Sequence, residues 1–221
     1  MKYGQLFSKE WYGTTLSSLT PEGGAELPSS TLQAYSIGNF LDPLKCKEII
    51  STFSGKLEKA TTTCGQEDFR TSEVYDLVHD KENLDLCVEI ENKICETMNI
   101  CFSHSEGLQL ESFKPGQYYK LHTDWFTPYS EEYEEHAKAW GQRTWTFQIF
   151  LSNVEKGGEL HIPALDGKNK RIPIKAGAAV CWNNLKADGM PNEAAAYEHE
   201  PVVKGHKYIL TKMFRMKSLI D

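Results

Sequence analysis

Across 221 residues the sequence has no C-x-x-C pair among its six cysteines, no apolar run long enough to cross a bilayer and no excess of positive charge. Without paired spacing there is no dithiol motif to read, and Cys46, Cys64, Cys87, Cys95, Cys101 and Cys181 are expected as buried free thiols in a reducing compartment. Without a stretch of about 20 apolar residues no transmembrane helix is expected. The first ten residues lack the apolar core of a secretion signal, so a cytoplasmic location and no membrane partner are expected. A net charge of −7 builds no basic face for a phosphate backbone, which argues against nucleic acid as a partner. Repeats and low-complexity tracts are also missing. What is present, 40% hydrophobic and 25% charged residues in a length suited to one core, reads as one globular domain.

Residues 1–30 mix Trp11 and Tyr12 with Gly, Ser, Thr and Pro and are expected as an extension to a domain over 31–221. Residues 33–37 alternate like a strand. Asp42-Pro43 then looks like an N-cap followed by proline in the first turn of a helix with Leu44, Ile49, Ile50, Phe53 and Leu57 on one side. A second amphipathic helix is expected from Asp85 to Cys101, where apolar residues recur at three- and four-residue steps. After residue 107 the period changes to alternation: 108–113, the turn Lys114-Pro115-Gly116, and a strand carrying His122 are expected as a hairpin. The acidic stretch 127–142 is expected as a solvated face or a lid. In 144–151, Trp145, Phe147, Ile149 and Leu151 share one face of a strand, and Thr146, Gln148 and Phe150 the other. Further strands are expected near 159–163, 171–174, 177–182, 199–203 and 207–214. The fold class is therefore α+β, mainly β: a helical part at about 31–105 packed on a β sandwich or barrel at about 106–216.

The chemistry is expected at His122-Thr123-Asp124. Side chains two apart on a strand project to one face, so the imidazole and the carboxylate stand together while Thr123 turns away. Such a pair, completed by a distant histidine, is the facial triad that holds non-haem Fe(II) and leaves positions open for a co-substrate and O2. His79, His104 and His136 fall in loops or polar segments, His161 follows a Gly-Gly turn, and His206 follows a glycine. His199 remains as the distal candidate. Beyond the turn at Gly205, Lys207, Ile209 and Thr211 share a face, and a buried lysine there calls for an anionic partner such as an acid co-substrate.

From about Gln33 to Arg215 the chain resembles the Fe(II)/2-oxoglutarate-dependent dioxygenases of the prolyl 4-hydroxylase type. The resemblance rests on Asn39-Phe40-Leu41 with Cys46, Phe69-Arg70-Thr71-Ser72, Gly116-Gln117-Tyr118-Tyr119 leading to His122-Thr123-Asp124, and Gln142-Arg143 with Thr146. It continues through 151–160, Trp182-Asn183-Asn184, Asp188-Gly189, and Pro201-Val202 before Gly205 and Lys207. It implies a double-stranded β-helix (jelly-roll) core flanked by N-terminal helices. It also implies Fe(II) with 2-oxoglutarate and O2 as co-substrates, ascorbate as reductant, and hydroxylation of prolyl residues in a peptide or protein with release of succinate and CO2. By the same resemblance His122 and Asp124 are iron ligands, Lys207 pairs with the far carboxylate of 2-oxoglutarate, Tyr119 hydrogen-bonds it and Thr146 faces the pocket beside it. Arg143 is a candidate substrate contact at the pocket edge, and Trp182 is either a substrate contact or core.

One departure concerns the third ligand. Counting back from Pro201 or Lys207 puts Tyr197 where the family has its distal histidine, and His199 comes two residues later with the same strand parity. A slip or bulge would aim His199 at the metal. A phenolate from Tyr197 would instead alter the redox behaviour of the iron. Leu160 and Met213 also stand where Thr and Trp are usual, which bears on substrate contacts. Two alternatives stay open: the same chemistry on a non-prolyl substrate, and a jelly-roll binding module with impaired iron turnover.

Overall fold

The computed structural model describes residues 19–61 and 68–219, so Trp11, Tyr12 and Cys64 lie outside the described residues. Helix α1 (Pro43–Phe53) starts where expected: the Asp42 carboxylate accepts from the Leu44 N–H at 2.7 Å, and Pro43 needs no donor in the first turn. Such a cap stabilises a helix by about 1 kcal/mol. Its buried face is Cys46, Ile49 and Phe53. Leu44 is 74% exposed, a correction to the apolar side read from the sequence, because the first turn overhangs the edge of the core. Helix α2 (Leu84–Met98) buries Cys87, Ile90, Ile94, Cys95 and Met98, and ends on Asn99 in the left-handed region at φ 50°.

The strands in chain order are β1 (Ala25–Glu26), β2 (Ala34–Ile37), β3 (Glu58–Lys59), β4 (Glu73–Asp76), β5 (Gln109–Phe113), β6 (Tyr119–His122) and β7 (Arg143–Phe150). They continue as β8 (Val154–Gly157), β9 (Leu160–His161), β10 (Arg171–Ile172), β11 (Ala179–Asn183), β12 (Tyr197–His199), β13 (Val202–Gly205) and β14 (Lys207–Arg215). One sheet runs β1-β2-β11-β7-β14-β5-β4-β3, a second β10-β9-β12-β6, and β13 pairs with β8; the pairings are antiparallel. On one face of the large sheet Trp145, Phe147, Ile149, Cys181 and Leu210 pack against α1 and α2. On the other, Phe113, Phe150, Trp182 and Ile209 meet Leu160, Tyr197 and Val202 of the smaller sheets. The alternation within β7 divides as expected, Phe150 going to the inner cluster and its neighbours Ile149 and Leu151 to the outer one. Two sheets enclosing one core, with helices outside the larger sheet, form the jelly roll that the resemblance implies.

The pairing of β5 and β6 differs from expectation. β5 and β6 are not a hairpin: β5 pairs with β4 and β14, while β6 pairs with β12 in the other sheet. The turn at Lys114–Gly116 carries the chain from one sheet to the other, and a two-residue period does not say which neighbour a strand takes. In the described part of the N-terminal stretch β1 pairs with β2, and Leu19 joins the core under the helices. Cys46, Cys87, Cys95 and Cys181 are buried free thiols, and Cys101 is half-buried.

Candidate active site

Strand β6 delivers His122 to the gap between the sheets, and the chain leaves it through Thr123 to Asp124. His122 Nε2 lies 3.8 Å from Asp124 Oδ1. The other ring nitrogen, Nδ1, is 2.7 Å from the Lys120 carbonyl, to which it can only donate, so the proton sits on Nδ1 and the Nε2 lone pair is free. That Nε2 is buried and has no hydrogen-bond partner. Burial lowers the His122 pKa, which keeps the ring neutral, and Tyr119 stacks on it at 3.6 Å between centroids. A neutral imidazole held by a backbone carbonyl with its second nitrogen unpartnered is the form a metal ligand takes.

Asp124 is 5% exposed. Its Oδ2 accepts from the Thr146 hydroxyl at 2.5 Å, which itself accepts from Asn184 Nδ2 at 2.9 Å; its Oδ1 accepts from the Tyr197 hydroxyl at 3.1 Å. Register explains the tyrosine. In the β12–β6 pairing Tyr197 stands opposite His122, with ring centroids 4.2 Å apart, and Trp182 buttresses it edge-on at 4.6 Å.

His199 has the parity expected of it but lies deeper. It pairs with Tyr119 across an irregularity in register, and both ring nitrogens are engaged, Nδ1 at 2.8 Å from Lys207 Nζ and Nε2 at 3.3 Å from the Gln148 amide nitrogen. Turning the Gln148 amide end for end would give the Nε2–H an acceptor and satisfy Gln148 Oε1, which otherwise has none. Burial and the Lys207 charge hold the His199 pKa well below its usual value. Among the described residues, the set of His, Cys, Asp or Glu side chains whose ligand atoms lie within 4.8 Å of one another is His161, Glu198 and Glu200, facing away from the gap. The structure thus brings His122, Asp124, Thr146, Tyr119 and Tyr197 together; His199 packs edge-on against Tyr197 at 5.7 Å between ring centroids, with its nitrogens turned to Lys207 and Gln148.

Lys207, at the start of β14, is fully buried. It donates to the Gly158 carbonyl at 2.7 Å, and its Nζ lies 4.7 Å from the Phe113 ring centroid. Gly157, at φ 73°, makes this turn possible, because a Cβ there would come within 2.5 Å of the Pro201 carbonyl. Among the described residues no carboxylate forms an ion pair with Lys207, and burial pulls its pKa down to about 7.

A cavity of about 540 Å³ opens onto His122, Asp124, Tyr119 and Tyr197. Arg143 lines it but is held by Glu106 through two contacts, at 2.6 and 2.8 Å. Trp182 is fully buried and is absent from the lining, which makes it core rather than a substrate contact. Glu132 and His136 of α3 (Glu131–His136), within the acidic stretch, also reach the cavity. Two contributors had no role in the sequence reading. Arg70 reaches Glu111 at 2.9 Å and Gln109 at 3.0 Å and lies 4.8 Å over the Tyr119 ring, and Asn184 steadies Thr146. Both lie in stretches that carried the resemblance, but their partners come from other strands, and no spacing encodes that. His122 and Asp124 fit a metal ion: an orphaned imidazole nitrogen and an oriented carboxylate converge beside a cavity.

Residues 108–215 match the family described as "2OG-Fe(II) oxygenase superfamily". Prolyl 4-hydroxylase 13 of Arabidopsis thaliana is 26% identical over 220 residues, covering 92% of this chain and 77% of the relative. A putative prolyl 4-hydroxylase of Acanthamoeba polyphaga mimivirus is 29% identical over 185 residues, covering 82% of this chain and 73% of the relative. Among solved structures, the viral collagen prolyl hydroxylase of Paramecium Bursaria Chlorella virus-1, in its 2OG complex, superposes with a TM-score of 0.63 at 22% identity, covering 82% of this chain and 94% of that one. At that identity the likeness is one of fold.

Proposed function

We propose that this chain, whose residues 108–215 match the 2OG-Fe(II) oxygenase superfamily, is an Fe(II)- and 2-oxoglutarate-dependent dioxygenase that hydroxylates prolyl residues of a peptide or protein. The observation that carries this reading is the orphaned, buried Nε2 of His122 facing the Asp124 carboxylate. These two residues would hold the iron, with the third donor supplied by β12. Iron bound there supplies oxidation of 2-oxoglutarate by O2 to succinate and CO2, coupled to insertion of one oxygen into the substrate, with ascorbate as reductant.

The chain's own residues bind and orient. Lys207 is a buried cation without a carboxylate, suited to the far carboxylate of 2-oxoglutarate once that group replaces His199 at Nζ. Tyr119 lines the cavity, and Thr146 fixes the orientation of the Asp124 carboxylate. Arg70, held by Glu111, keeps the Tyr119 ring in place over His122. The cavity mouth, with Arg143 and the acidic α3, is where a peptide would enter.

A second reading, a jelly-roll binding module with impaired iron turnover, is favoured by His199 lying on Lys207. The two separate in one assay: succinate formation by the full chain with Fe(II), ascorbate and 2-oxoglutarate, with and without proline-containing peptides. Succinate stimulated by peptide, with the peptide gaining one oxygen at proline, is the expected result. Iron bound but no succinate under any condition would leave the binding module.

A further inference from the structure

We infer that the third donor of the metal site is the Tyr197 hydroxyl oxygen, making a His122–Asp124–Tyr197 centre, and that His199 is instead a partner of Lys207. The inference rests on the metal-site part of the proposed function and goes beyond it in naming the donor set.

Geometry carries it. Tyr197 Oη and His122 Nε2 lie 3.1 and 3.8 Å from the same carboxylate oxygen of Asp124, so the three heteroatoms already surround one small region. The pairing of Tyr197 with His122 across β12 and β6 fixes this, and the ring is held by Trp182 on one side and His122 on the other. His199 is one pleat further along. In the β12–β6 register it stands opposite Tyr119 rather than His122, and its ring lies edge-on to Tyr197 at 5.7 Å between centroids. Its nitrogens are also engaged where they stand, Nδ1 with Lys207 Nζ at 2.8 Å and Nε2 beside the Gln148 amide at 3.3 Å. Tyr197 has no such obligation, because its only polar contact among the described residues is Asp124 itself.

The donor set then predicts the metal chemistry. On binding, the Tyr197 hydroxyl proton leaves to solvent and the oxygen becomes an anionic donor beside the Asp124 carboxylate. One neutral nitrogen with two anionic oxygens is a harder, more negative set than two imidazoles and a carboxylate, and it favours the ferric over the ferrous ion. An iron–phenolate bond also absorbs in the visible, which a histidine ligand does not reproduce.

The test uses the full chain, loaded with Fe(II) under nitrogen, measured for iron stoichiometry and affinity, then exposed to air and read in the visible. The variants are Tyr197→Phe, which keeps the ring against Trp182 and removes only the oxygen, and His199→Gln, with circular dichroism as a check that each is folded. The expected result is one iron per chain and a broad visible band in the wild type, loss of the band with at least tenfold weaker iron in Tyr197→Phe, and retention of both in His199→Gln. Iron bound as tightly by Tyr197→Phe, or lost from His199→Gln alone, would overturn the inference while leaving the proposed function standing. A wild type that binds iron with the band yet makes no succinate would do the reverse. Absence of iron from the folded wild type would overturn both.

Discussion

Strand β14 carries two lysines whose burial is equal and whose circumstances are opposite. Lys212 faces the helices, where its ammonium meets the Glu91 carboxylate of α2 at 2.7 Å. Lys207, five residues earlier and so on the other face, points between the sheets and, among the described residues, is in contact with the Gly158 carbonyl, the His199 imidazole and the Phe113 ring but forms no ion pair. A buried charge opposed by a buried charge is part of the architecture. One in contact with neutral groups and without an ion pair is a cost kept in reserve for a ligand, and its sign says which ligand class: an anion.

Breaking the structural pair should have the largest effect. Lys212→Met leaves the Glu91 carboxylate buried without a counter-charge and is expected to cost about 3–5 kcal/mol in urea unfolding, most of it recovered in the Lys212→Met/Glu91→Leu double variant. A loss in the single variant of less than about 1 kcal/mol would show that the two lysines do not differ in this way. Lys207→Met should instead fold at least as stably as the wild type but bind 2-oxoglutarate about 10–100-fold more weakly, the worth of a charge-assisted hydrogen bond to a carboxylate. Calorimetric titration with 2-oxoglutarate checks it, and unchanged affinity would remove Lys207 from the co-substrate site. A further effect is in pH. With the Lys207 pKa at about 7 in the folded protein and about 10.4 unfolded, the unfolded chain binds the extra proton between those values, so wild-type stability rises with pH across that window. The stability advantage of Lys207→Met should therefore be full below pH about 7 and fade toward pH about 10. An advantage that does not change with pH would mean that Lys207 stays charged throughout.

The same contrast marks what could be read beforehand. The buried lysine in need of an anion was legible at Lys207, because the alternation of Lys207, Ile209 and Thr211 put it on the inner face. Lys212 went unremarked: its partner lies 121 residues away on a helix, and nothing local announces the pair. In β7 the division of faces was legible for the reason that parity is local, whereas the partner of β5 was not, since alternation is the same whichever strand lies alongside. The helix α1 was located by its cap and its proline, yet Leu44 was given to the wrong side because the sequence does not show where a core ends.

The candidate metal site divides along the same line. His122-Thr123-Asp124, the lysine at 207 and the resemblance that joins them are properties of sequence, fixed by spacing and by the two-residue period of an extended chain. That period puts both Tyr197 and His199 on the inward face, and the sequence reading takes His199 because an imidazole is the better iron ligand. Only the tertiary structure separates them, because the cross-strand register of β12 against β6 sets Tyr197 opposite His122 and His199 opposite Tyr119. Register depends on how two distant strands align, and no stretch of either strand contains that information alone.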